Sequence, residues 1–263
     1  MPFLTTKGFC WLAYKIYELI EFDTFRQCLD AFDFHDSVDY LLSLARCLHV
    51  LHSYDISHRD VKPSNFLYRT SRKKGFIIDF SLCELSPKAL TTFAHLPAKK
   101  QFVERILRVQ ERIGRNKFGT EGYMPLETVL MEERQSNKVD VWAFGIICLQ
   151  IFLKKNFLFC PLPLMVPDQE AKKPVKSENN LAHFLIQLAA LVGPAEVKKH
   201  CGKLGYFVSF PSGMNSEFDM LRPMVAVAGF EDWAWDLVKK CLALDAESRC
   251  SMFEAYKVLE EKM

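Results

Sequence analysis

His58-Arg59-Asp60-Val61-Lys62-Pro63-Ser64-Asn65 sets a carboxylate, an ammonium and a carboxamide on one rigid turn, and its flanks say what scaffold carries it. Upstream, Val38, Leu41, Leu42, Ala45, Leu48 and Leu51 follow helical spacing up to His52, with Asp36 or Ser37 as the expected cap. Downstream, Phe66-Leu67-Tyr68 and Phe76-Ile77-Ile78 are short apolar runs separated by the turn-like Arg69 to Gly75. That pattern predicts a hairpin that delivers Asp79 to the same place. Farther out, further helices are expected at 138–153, 180–192, 230–243 and 251–262. Phe9 to Tyr17 reads as a buried strand with Glu18 to Phe22 as the connector leaving it. Residues 83–118 and 154–179 read as inserts; the second holds four prolines, Pro161, Pro163, Pro167 and Pro174, which break any helix. No internal repeat is visible, and the fold class expected is α+β, mainly helical.

Composition narrows the function classes. With 263 residues, 49% of them apolar, the chain can bury one substantial core and a small second lobe. Its 34 basic and 32 acidic residues leave a net charge of +2, too little for a bulk nucleic-acid binder, so no direct nucleic-acid binding is expected. Nine cysteines contain no C-x-x-C pair and are odd in number, which argues against a disulfide framework or a zinc knuckle and for reduced thiols. The first residues lack a charged segment followed by an apolar one, so no signal peptide is expected. The longest uncharged apolar run, Val141 to Leu153, has 13 residues, too few to span a bilayer, and reads as a buried helix.

The opening stretch matches the H-R-D-x-K-x-x-N loop of protein kinases. The resemblance implies that Asp60 accepts or orients the proton of an attacking hydroxyl, that Lys62 neutralises charge on the transferring phosphoryl group, and that Asn65 holds magnesium. Nineteen residues after Asp60, Asp79-Phe80-Ser81 stands where kinases carry Asp-Phe-Gly, whose aspartate chelates the metal. Serine in place of glycine restricts positive φ angles there. Gly119-Thr120-Glu121-Gly122-Tyr123 resembles the substrate-receiving segment, with Thr120 expected against Asp60 and Lys62. Met124-Pro125-Leu126-Glu127 follows where most kinases read R-A-P-E, then Asp140-Val141-Trp142-Ala143-Phe144-Gly145 like a D-x-W-x-x-G helix start, and finally Arg249. A lone tripeptide of this kind would be chance; the order of the series carries the resemblance. Glu127 and Arg249 are expected to form a buried structural ion pair, since a desolvated charge needs a partner, and Asp140 to tie the loop backbone.

Val61 to Tyr68 is similar, residue for residue, to the loop of the cell division control protein 7 kinases. That likeness implies a serine/threonine kinase using ATP and Mg2+, nuclear, acting in the initiation of DNA replication. It also implies an activating regulatory subunit, the minichromosome maintenance helicase as substrate, and nucleotide contacts from Glu18, Leu19 and Leu67. No G-x-G-x-x-G loop, strand lysine of the V-A-I-K type or partner glutamate precedes Glu18. The expected architecture is therefore a kinase-like fold that is mainly the helical C-terminal lobe over 23–263, with 1–22 a remnant of a largely missing β lobe whose strand has an unpaired edge. Two other readings are a pseudokinase scaffold and a small-molecule phosphotransferase of kinase-like fold. Retention of Asp60, Lys62, Asn65 and Asp79 together favours catalysis. Finally, Lys99 to Lys117 carries seven basic and two acidic residues with apolar positions at near-helical spacing, either a solvated insert or a dock for an acidic partner.

Overall fold

The computed structural model describes residues 3–5, 8–10, 20–86, 119–120, 122–129, 136–154, 188–189, 192–203, 207–209 and 230–263. Two short apolar segments, β1 (Phe3–Thr5) and β2 (Gly8–Cys10), pair antiparallel with Phe3 opposite Cys10. The strand expected from Phe9 thus starts one residue earlier and already has a partner. The rest of that expected strand, the connector residues Glu18 and Leu19, residues 180–187 of the helix expected at 180–192 and the basic stretch 99–117 lie outside the described residues.

The chain then turns helical. A reciprocal capping box between Thr24 and Gln27 starts α1 (Phe25–Ala31). Asp33 and Asp36 build another that starts α2 (Phe34–Ser53). The helix begins before the expected Asp36 or Ser37 because Phe34 belongs inside it, its ring 5.3 Å from Phe230. Val38, Leu41, Leu44, Ala45 and Leu48 form the buried stripe of α2. Tyr40 on that face meets the rings of Phe66 and Tyr68 at 5.1 and 4.9 Å, seating the following hairpin on the helix.

That hairpin is β4 (Phe66–Arg69) against β5 (Lys74–Ile77), entered from the two-residue β3 (Ile56–Ser57). Phe66 and Tyr68 face the core, whereas Leu67 and its cross-strand partner Phe76 lie on the more open face. Gly75 is required under Phe66: a Cβ there would fall 2.0 Å from the ring. The segment β6 (Glu84–Leu85) pairs with β3, so these two residues of the expected 83–118 insert lie back against the strand before the loop, while residues 87–118 lie outside the described residues.

Below the hairpin, α3 (Leu126–Val129) leads to α4 (Lys138–Phe152), buried from Val139 to Phe152 on every side. Its apolar run is therefore a central core helix. Gly145 lets α6 (Asp232–Cys241) approach it, since a Cβ at 145 would meet Cys241 Cβ at 2.6 Å. The remaining helices among the described residues are α5 (Pro194–Lys203) and α7 (Met252–Glu260), which runs beside α2 with the Phe253 ring tilted against His49 at 5.2 Å. No helix among the described residues is long and apolar enough to cross a membrane.

Candidate active site

The stretch 58–65 is anchored before it does anything. Asp140, in the first turn of α4, accepts the backbone N–H groups of His58 at 2.7 Å and Arg59 at 2.8 Å, and Nε2–H of His52 at 2.9 Å. Burial opposes its charge, but the hydrogen bond from His52 and the neighbouring histidines hold its carboxyl below the usual carboxylate range. His52, from the last turn of α2, was not singled out by sequence; a histidine there reads simply as a helix end. His58 is sealed, accepts the Asp60 N–H on Nδ1 and donates from Nε2 to the Ile78 carbonyl at 2.9 Å, which fixes its tautomer. Arg59 takes a left-handed φ of 66°, disfavoured for an L side chain by roughly 1–2 kcal/mol. Its guanidinium holds it there, with Nε donating to the Leu82 carbonyl at 2.6 Å and a further N–H to Glu84 at 2.8 Å. The β3–β6 pairing brings these partners alongside.

Asp60 gathers three partners, of which Thr120 is the expected one. Thr120 donates its hydroxyl proton to Asp60 Oδ1 at 2.6 Å while accepting from Lys62 Nζ at 2.7 Å. Lys62 Nζ also lies 2.8 Å from Asp60 Oδ2. Asn65 donates from Nδ2 to the Asp60 carbonyl at 2.8 Å and to Oδ2 at 3.0 Å. Partial burial raises the Asp60 carboxyl, and the bonds from Lys62, Thr120 and Asn65 more than reverse that, leaving it below its ordinary range. Gly119, at φ 92°, makes the approach of Thr120 possible: a Cβ there would press on the Arg59 carbonyl at 3.0 Å and on Met124. Met124, standing where most kinases read arginine, is a core residue, 5% exposed.

Asp79 arrives beside Asn65 because the hairpin register runs Phe66 opposite Ile77, and Ile78 N–H donates to the Asn65 carbonyl at 2.9 Å. Asp79 is exposed, left-handed at φ 63°, and accepts the Ser81 N–H at 3.3 Å. The positive φ of this turn thus sits on Asp79, a residue type that tolerates it. Ser81 is absent from the positive-φ residues, so replacing glycine here strains nothing. The oxygens fit a hard divalent cation. Asn65 spends its nitrogen on Asp60, which leaves its Oδ1 for a metal, and Asp79 keeps a second carboxylate oxygen outside that turn bond. No group of three or more His, Cys, Asp or Glu among the described residues forms a separate metal cluster.

Glu127 and Arg249 lie deeper. Arg249 donates to both Glu127 oxygens, at 2.5 and 2.9 Å, and to the carbonyls of Ala243, Lys138 and Leu244, so all five N–H groups are used. Its guanidinium also covers the Trp142 ring at 5.1 Å. Sequence reasoning missed the Arg59–Glu84 pair and the bond between Tyr123 and Gln150. Both join residues too far apart in sequence to leave a local signal.

A model of the protein kinase domain matches residues 5–259 of this chain. The chain belongs to that family. It is also similar to the cell cycle serine/threonine-protein kinase hsk1 of Schizosaccharomyces pombe, 25% identical over 89% of this chain and 50% of the relative. A probable cell division control protein 7 homolog of Encephalitozoon cuniculi is 26% identical over 88% of this chain and 67% of its own length. The cell division cycle 7-related protein kinase of Homo sapiens is 40% identical over a shorter part, 25% of this chain and 11% of the relative. The chain thus spans half the length of hsk1 and two thirds of the Encephalitozoon cuniculi relative. Because the kinase-domain match begins at residue 5, the expected loss of the N-terminal lobe finds no support.

Proposed function

We propose that this chain is a serine/threonine protein kinase that moves the γ-phosphoryl group of ATP to protein hydroxyls in cell-cycle control. The single observation that carries the proposal is the shared grip of Lys62, Thr120 and Asn65 on Asp60. A carboxylate held below its ordinary range is a weak base, suited to orienting an incoming hydroxyl and taking its proton only late in transfer. Lys62 lies next to it as a cation for the charge on the transferring group. Asn65 and Asp79 would hold Mg2+, which when bound with ATP supplies charge neutralisation on the phosphates. Leu67 offers an apolar contact for the nucleotide from the open face of β4. Asp140, Glu127 and Arg249 keep these groups in place without touching substrate.

The likeness of Val61 to Tyr68 to the cell division control protein 7 kinases, and the names of the relatives, support a narrower reading. In it the kinase is nuclear, acts in the initiation of DNA replication on the minichromosome maintenance helicase, and is switched on by a regulatory subunit. The test is transfer of labelled phosphate from Mg·ATP to a generic serine-containing substrate by the purified chain, with Asp60→Asn as comparator. Transfer that disappears in Asp60→Asn supports the enzyme. Nucleotide binding without transfer, alone and with a co-expressed regulatory subunit, favours a scaffold instead.

A further inference from the structure

We propose that Cys241 and Cys250 form a peroxide-oxidisable pair, a modification site at the junction of α6 and α7 that interconverts between dithiol and disulfide. Their sulfurs lie 3.6 Å apart. A disulfide needs about 2.05 Å, so the sulfurs must close by roughly 1.5 Å. The backbones are already side by side, because Cys250 N–H donates to the Lys240 carbonyl at 3.2 Å.

Their surroundings divide the labour between them. Cys250, 9% exposed, lines an open cleft of about 450 Å³ whose walls include Lys138, Lys240 and Glu254, the side from which a small oxidant can approach it. Cys241 is fully sealed behind it, packed against Gly145. The two thiols share a hydrogen bond in which either sulfur can donate; that bond and the Lys138 and Lys240 cations pull the Cys250 thiol down against its burial and Glu254, while the bond and burial push Cys241 up. Burial pushes the other described thiols up, at Cys28, Cys47, Cys83, Cys148 and Cys201. Cys250 is therefore the attacking sulfur and Cys241 the resolving one.

The oxidant is hydrogen peroxide or an organic hydroperoxide. The Cys250 thiolate attacks one peroxide oxygen, the O–O bond breaks, and the Cys250 proton leaves with the departing oxygen as water or alcohol. The sulfur is then a sulfenic acid. Cys241 sulfur attacks it, the S–O bond breaks, and the Cys241 proton departs with that oxygen as a second water. Two thiols have lost two protons and two electrons, and the peroxide has gained them. The new bond closes residues 241–250, the segment that carries Arg249 to Glu127. The inference does not depend on the proposed catalysis.

The experiment treats the purified chain with hydrogen peroxide, alkylates free thiols, digests without reduction and reads the peptides by mass spectrometry. The expected product is a Cys241–Cys250 linked peptide two hydrogens lighter than its parts, released by dithiothreitol and formed at least several-fold faster than links involving Cys148 or Cys201. In Cys241→Ala, dimedone should capture Cys250 as its sulfenic acid, and in Cys250→Ser, Cys241 should stay alkylatable. The proposal is overturned if both cysteines remain alkylatable while other thiols oxidise. Links spread evenly over the cysteines, or Cys250 driven to sulfinic acid in the unsubstituted chain without a link, overturn it equally.

Discussion

Two ion pairs a short way apart in the fold are built for opposite ends. Around Arg249 and Glu127 every donor is used, the arginine side chain is 0% exposed, and an indole ring closes one face. Around Lys62 and Asp60 the lysine keeps 23% exposure, and the carboxylate shares its oxygens with a hydroxyl and a carboxamide that a substrate could displace. A saturated, sealed pair holds shape; an open pair with exchangeable partners does chemistry. The contrast extends to the backbone: Arg59 and Asp79, which flank the open pair in the fold, are left-handed, whereas Glu127 and Arg249 are not.

The contrast breaks first at Asp60. Asp60→Asn should lower phosphate transfer about 10²–10⁴-fold, the usual span for losing a general base, with the thermal midpoint little changed. A loss of fold in step with the loss of activity would put Asp60 in the structural class instead. At the other pair, Glu127→Ala should cost about 3–5 kcal/mol in urea unfolding, because Arg249 is left as a buried cation with half its fork empty. Its transfer rate per folded molecule should hold. If the unfolding midpoint hardly moves, the pair is not the anchor its geometry implies.

The sequence made the open pair far more legible than the sealed scaffold. Asp60, Lys62 and Asn65 lie within six residues on one turn, so their convergence needs only local geometry. Thr120, Asp140, Glu127 and Arg249 were placed by the order of motifs, a family inference that no periodicity could replace. Other elements left weak traces. The capping box that starts α1 is written in Thr24 and Gln27, yet the segment is too short to show a clear period. The β3–β6 pairing is two residues long and joins Ile56 to Leu85 and Ser57 to Glu84, so it has neither alternation nor a turn signal. Helix α5 begins at Pro194 after the left-handed Gly193, a combination that reads as a turn until the helix is seen.

Smaller effects sharpen the same division. Gly145→Ala should destabilise by about 1–3 kcal/mol through overpacking, since its new methyl would collide with Cys241 and Leu242 where α4 crosses α6. Calorimetry would read this as a lower midpoint, and an unchanged one would mean the helices part easily. Activity per folded molecule should again hold, as the collision lies in the sealed region.

The gentlest test is acid. Asp140 and Asp60 both have carboxyls held below their ordinary range, Asp140 against burial by His52 and the loop histidine, Asp60 against burial by Lys62, Thr120 and Asn65. A group whose folded value is depressed binds its proton more readily when unfolded. Its stabilising contribution is therefore complete above the unfolded value, near about 4 for aspartate, and fades as pH falls through the lower folded value. Urea unfolding between neutral pH and pH 3 should show stability dropping with acid, and Asp60→Asn should flatten part of that slope. Asp140, whose carboxylate ties His52 to the backbone of His58 and Arg59, shares the remainder with Asp245, Glu254 and Glu260, whose carboxyls hydrogen bonds also hold low. If the slope in Asp60→Asn equals that of the unsubstituted chain, the open pair contributes nothing to folding, and its hydrogen bonds serve the chemistry alone.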